Sequence, residues 1–161
     1  MSPRAALALV LVPAGALLSG CAANVGVVFD FPTTRAFEIS ELIQLDVVRI
    51  APDALGSCPA VLESALRGDT LDVVVGLEAT DVCAVEAGVA VPDPGSGPLA
   101  FVAQVIDDRN STILAGCTIA EAYPGAPPVR IELYPTAGYT VSVERLSDAD
   151  TRAGGACGGG G

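Results

Sequence analysis

Apolar and polar positions alternate in short runs from Phe37 to Leu146, and the runs are cut by Pro, Gly, Asp and Asn. That period of two is the signature of half-buried β-strands. Together with β-branched and continuous apolar runs, it predicts strands in LIQLDVVRI (42–50), LDVVVGLEA (71–79), VCAVEAGVAV (82–91), LAFVAQVID (99–107), TILAGCTIAEAY (112–123), VRIELYP (129–135) and YTVSVERL (139–146). In the sixth, Val129, Ile131 and Leu133 alternate with Arg130, Glu132 and Tyr134; in the last, Val141 and Val143 face the same way. VGVVFDF (25–31) lies in a stretch otherwise read as a tether and has the composition of one further strand. PDPGSGP (92–98) and PGAPP (124–128) read as turns, because proline denies a ladder its N–H and glycine admits positive φ. DDRNS (107–111) reads as a hairpin turn between two strong strands.

One segment follows a different period. In 51–69, Pro59 suits a first helical position, Val61, Leu62, Ala65 and Leu66 share one helical face, and Gly68 marks a stop. The expectation is an all-β fold, an antiparallel β-sandwich of about six to eight short strands with one short helix near 59–67. No internal repeat of fixed period is present.

The N-terminus carries another pattern. Met1–Arg4 is a short basic lead, and Ala5–Leu18 is an apolar run. As a helix that run rises only about 21 Å, short of a bilayer core of about 30 Å. A basic lead, a short greasy run and small residues together make a secretory signal peptide. The run ends on Leu18-Ser19-Gly20-Cys21, which resembles the bacterial lipobox. The resemblance implies cleavage after Gly20, a diacylglyceryl group on the Cys21 thiol and acylation of the new amino group. Two or more acyl chains hold a protein at a membrane where one does not. Ala22 and Ala23 follow the cysteine, without the Asp that marks inner-membrane retention, so the expected address is the outer membrane of a Gram-negative bacterium. The expected organisation is a signal peptide over 1–20, a lipidated N-terminus and tether over 21–36, a β-sandwich over 37–147 and a flexible glycine-rich tail over 148–161.

Composition narrows the partners. Apolar residues make up 51% of the 161, enough for a core, and 18 Gly with 12 Pro favour turns over long helices. The net charge is −11, and loss of residues 1–20 leaves seven arginines against nineteen acids, a net of −12. Such a surface repels phosphate backbones, so nucleic acid is not an expected partner. It also repels anionic headgroups, so membrane attachment rests on the lipid.

With Cys21 taken by lipid, Cys58, Cys83, Cys117 and Cys157 remain. An even number in an oxidising compartment predicts two disulfides, with three pairings open. A zinc site is disfavoured, since no two of these cysteines are closer than 25 positions and the chain has no histidine. A further resemblance covers residues 98–135. FVAQV (101–105), AGCT (115–118) and VRIEL (129–133) are similar to the closing strands of immunoglobulin-like or transthyretin-like sandwich modules in lipoproteins of GC-rich Gram-negative bacteria. In those modules an earlier cysteine pairs with that of the G-C-T strand. The resemblance therefore implies Cys58–Cys117, which leaves Cys83–Cys157. It implies architecture and no catalytic residue.

Candidate chemistry is sparse. A serine or cysteine nucleophile needs a base, and the chain has neither His nor Lys. Cys117 in AGCT reads as a disulfide partner on that ground. Glu63, Asp72, Glu78 and Glu86 have no spacing that pairs them for acid–base work. Asp107-Asp108-Arg109-Asn110 is the densest polar turn; Asp and Asn cap turns with their own side chains. No EF-hand loop and no phosphate-binding glycine loop is present. No cofactor is expected. The expected function is a non-catalytic binding or structural module of the envelope, anchored through Cys21, with an envelope protein as partner. The alternative is a calcium-dependent or small-ligand, carbohydrate-binding module with loop acids near Asp107 and Asp108.

Overall fold

A computed structural model describes residues 24–50, 58–123, 125–146 and 157 of the chain. In chain order these form β1 (Val25–Asp30), α1 (Thr34–Glu38), β2 (Leu42–Arg49), α2 (Cys58–Arg67), β3 (Val73–Asp81), a 3₁₀ turn (Val82–Val85), β4 (Val89–Val91), β5 (Gly97–Ile106), β6 (Thr112–Ala122), β7 (Val129–Glu132), β8 (Tyr134–Pro135) and α3 (Ala137–Arg145). The strands make two sheets, ordered β4-β1-β7 and β3-β2-β5-β6-β8. All pairings are antiparallel except β1 with β7, which run parallel in the register Val27↔Val129 to Asp30↔Glu132. The chain passes from sheet to sheet, and the two inner faces share one core. The fold is an all-β sandwich.

Side-chain alternation builds that core. Ile43, Leu45 and Val47 of β2 and Leu99, Phe101, Ala103 and Val105 of β5 point inward, against Val25, Val27, Val91, Val129 and Ile131 of the smaller sheet. The other face of the large sheet is also covered. Val48, Ala100 and Val102 pack under Val61, Leu62 and Ala65 of α2. Leu99–Ala103 is therefore buried at every position, which accounts for its unbroken apolar sequence. The expected helix is present: Pro59 lies in its first turn, and Gly68 ends it in the left-handed conformation at φ +74°. Cys58 and Cys117 are disulfide-bonded, Cα–Cα 5.7 Å, and fasten the start of α2 to β6.

Gly116, next to that cysteine, lets the two sheets close. A Cβ there would fall on the Glu132 carbonyl oxygen and within 2.8 Å of Ile131 Cγ2. The backbone of β7 crosses β6 at this point, and only a residue without a side chain admits it.

Four expectations change. The segment 139–146, expected as a strand, is in α3. Thr136 caps that helix, its Oγ1 accepting from Gly138 N at 3.2 Å, and Val141 and Val143 do not share a face: Val141 is exposed and Val143 half-buried. The sandwich does not begin at residue 37, because Val25–Asp30 is central in the smaller sheet, and the expected tether also contains the start of α1. The single expected helix, α2, is joined among the described residues by α1 and α3. In 82–91, the first half is a 3₁₀ turn, which Asp81 starts by accepting from Cys83 N at 2.7 Å. The segments 1–23, 51–57, 147–156 and 158–161, with Cys21 and most of the expected tail, lie outside the described residues.

Candidate functional site

Three of the four phenylalanines meet at one end of the sandwich. The alternation of V-F-D-F puts Phe29 and Phe31 on one face at the end of β1. Pro32 then breaks the strand. Thr33 caps α1, its Oγ1 accepting from Ala36 N at 3.0 Å. One turn of helix buries Ala36 completely and brings Phe37 back, its ring edge-to-face with that of Phe31, centroids 5.1 Å apart at 89°. The end of the 3₁₀ turn supplies Val85 and Glu86. Gly88 allows this approach: at φ +95°, a Cβ there would lie 2.7 Å from the Val27 carbonyl oxygen. The three phenylalanines, Val85 and Glu86 line an open groove of about 330 Å³ together with Thr33 and Thr34. Three aromatic rings and Val85 give it apolar surface, two hydroxyls and one carboxylate give it polar surface, and among the described residues no basic side chain lines it.

The acidic turn has a different role. Asp107 is buried, and its carboxylate accepts from Arg109 N at 3.0 Å, Ser111 N at 2.8 Å, Ser142 Oγ and Arg145 Nη2 at 3.1 Å. Burial pushes its pKa up; the Ser142 hydroxyl, the Ser111 and Arg109 amides and the Arg145 guanidinium outweigh that and hold it below the ordinary carboxylate value. Asp108 also pairs with Arg145. Asn110 takes the left-handed conformation, φ 63°, that completes the hairpin turn. The turn thus caps itself and docks α3, whose Ser142 and Arg145 lie three residues apart on one helix face. Arg35 adds a second tie, donating to the Leu146 carbonyl at 2.8 Å.

The remaining sequence candidates do not converge. Glu63 pairs with Arg67 on the outside of α2 at 2.7 Å. Asp72 precedes the edge strand β3 and Glu78 lies on it, both exposed, while Glu86 is on the pocket rim. Among the described residues, no group of three or more His, Cys, Asp or Glu is placed to hold a metal ion. Asp148 and Asp150, a D-x-D pair in the C-terminal tail, lie outside the described residues. Cys83 and Cys157 are disulfide-bonded, Cα–Cα 4.9 Å, beside the pocket's 3₁₀ turn. No family model, curated protein or solved structure matches the chain.

The acids and cysteines of the sequence do not point to the phenylalanine pocket. Its signal was present in F-x-F ahead of P-T-T-R-A-F: two rings on one strand face, then a capped turn that returns a third.

Proposed function

We propose that the protein is a lipoprotein of the cell envelope, held through lipid on Cys21 in the outer membrane of a Gram-negative bacterium and acting as a non-catalytic binding module. The observation that carries this reading is the distribution of the cysteines. Four of the five pair off as Cys58–Cys117 and Cys83–Cys157, which suits an oxidising compartment. The fifth, Cys21, follows the apolar run directly, in Leu-Ser-Gly-Cys. A chain without His or Lys has no ordinary base for a serine or cysteine nucleophile, which favours binding over catalysis. The sandwich is read more finely as an immunoglobulin-like or transthyretin-like module, supported by its two sheets of short strands and the resemblance over 98–135.

Attachment at Cys21 sets an orientation. Only three residues separate it from Val25, four Cα steps or at most about 14 Å of chain. Val25 pairs with Val91, and a Cβ on Gly26 would lie 3.5 Å from Pro128, so β1 starts at the end formed by segments 92–97 and 125–128. That end faces the bilayer. The phenylalanine pocket lies about 20 Å further along β1, at the opposite end.

Metabolic labelling with palmitate tests the reading. Label is expected on the wild-type protein in the outer-membrane fraction and lost in Cys21→Ser, with the four other cysteines oxidised. An unlabelled product retaining residues 1–20 overturns it.

A further inference from the structure

We propose that the phenylalanine pocket takes a small organic ammonium ion, with its charge against the Glu86 carboxylate and its alkyl groups against Phe29, Phe31 and Phe37. This deepens the reading of the protein as a binding module and rests on that reading, independently of the anchor. The volume, about 330 Å³, is at the lower end of the range for small-ligand sites. The walls are pre-ordered: all three phenylalanines are half-buried and packed on the core, and Val85 behind them is buried. Aromatic faces carry negative quadrupole charge and attract cations within about 6 Å of the ring centre.

The polar groups select the sign of charge. Thr33 Oγ1 is already engaged as the cap of α1. Glu86 is exposed on the rim and has no ion-pair partner among the described residues. Arg35, the nearest basic residue in sequence, turns to Leu146 and to Glu38 at 3.7 Å. An anion would meet the Glu86 carboxylate with no compensating cation, in a protein whose net charge is −11. A neutral apolar ligand would gain nothing from that carboxylate. A sugar needs several hydrogen-bonding groups on its ring hydroxyls, and here the Thr34 hydroxyl and Glu86 are what the rim has left. An alkylammonium ion satisfies both the rings and the carboxylate.

The test is calorimetric titration of the purified full-length protein, in nonionic detergent, with choline chloride. Three comparisons accompany it: the neutral carbon isostere 3,3-dimethylbutan-1-ol, N-acetylglucosamine, and the Glu86→Gln variant. Choline is expected to bind, and its isostere to bind about tenfold more weakly or worse, as loss of one cation–π and one ionic contact implies. Glu86→Gln, a change at an exposed residue, is expected to weaken choline about three- to fivefold while leaving the melting temperature unchanged. Higher salt is expected to weaken binding as well. The proposal is overturned by absence of choline binding, by equal binding of the isostere, by an unchanged affinity in Glu86→Gln, or by binding of the sugar in place of choline. A protein that takes palmitate yet gives one of those results loses this inference alone. One that binds choline without palmitate keeps it and loses the anchor.

Discussion

Ser142 donates its hydroxyl to the buried carboxylate of Asp107, 35 residues earlier in the chain. Through this bond a hairpin turn specifies the position of the last helix. Helix α3 rests Tyr139, Val143 and the flanking Leu146 on the core while Val141 is 64% exposed, and polar ties to Asp107 and Asp108 and the Arg35–Leu146 bond add to that docking. Ser142→Ala and Asp107→Asn are expected to destabilise the protein by about 1–3 kcal/mol, because each leaves buried polar groups short of a partner. The pH dependence has a definite sign. The folded-state pKa of Asp107 lies below its unfolded value of about 3.9, so its stabilisation is full above that pH and lost as pH falls through the folded value. Urea unfolding should therefore show a large deficit for Asp107→Asn at pH 7 and a smaller one at pH 3. An equal deficit at both would remove the carboxylate from this role.

The central strands were legible because their pattern is redundant. Segments 42–50, 99–107 and 112–123 each carry several β-branched or large apolar residues, partly alternating in the first and in a continuous run over Leu99–Ala103, and β2, β5 and β6 occupy nearly those ranges. Helix α2 was legible from its proline start, glycine stop and single apolar face. Helix α3 was not, because T-V-S-V satisfies a strand pattern as well as a helical one over so short a span. What decides it is Asp107 reaching Ser142, a long-range bond that no local period records. The pocket escaped for a related reason: phenylalanines on a strand ordinarily read as core, and their grouping depends on the turn capped by Thr33.

Gly116 gives a sharp test of how the sheets close. In Gly116→Ala the new methyl must displace the β7 backbone at Glu132, which is expected to cost about 2 kcal/mol or more. Gly26→Ala is the control. Its Cβ would meet Pro128 at ordinary contact distance, 3.5 Å, so it should be neutral or slightly stabilising. Thermal unfolding of the two variants should separate them clearly; similar melting temperatures would contradict the crossing of β7 over β6.

Loss of the Cys58–Cys117 bridge acts mainly on one layer. The bond closes a separation of 59 residues, and removing both cysteines as serines is expected to cost about 4 kcal/mol in the chain-entropy description. Because it fastens α2 to the outer face of the large sheet, hydrogen exchange should accelerate first in Val61–Leu66 and only later in β5. Removing Cys83 and Cys157 should instead loosen the 3₁₀ turn that carries Val85 and Glu86, leaving α2 protected. Indistinguishable exchange patterns in the two variants would mean that neither bridge has the local role its position indicates.

The orientation implied by lipid on Cys21 can be read optically, because the chain contains no tryptophan. Tyr123 is 51% exposed and directly precedes the loop at the end where β1 begins, while Thr34 lies on the pocket rim at the other end. Single substitutions Tyr123→Trp and Thr34→Trp each introduce one fluorophore at an exposed position without disturbing the core. In lipidated protein reconstituted into vesicles of brominated phosphatidylcholine, bromine quenches only at close range. Strong quenching is expected for Tyr123→Trp and little for Thr34→Trp, the two sites being separated by about the length of β1, roughly 20 Å. Adding Cys21→Ser should abolish quenching at both, which separates anchoring by lipid from adsorption of the protein surface. Equal quenching at the two ends, or the reverse order, would place the pocket against the membrane and close it to ligands arriving from the aqueous side.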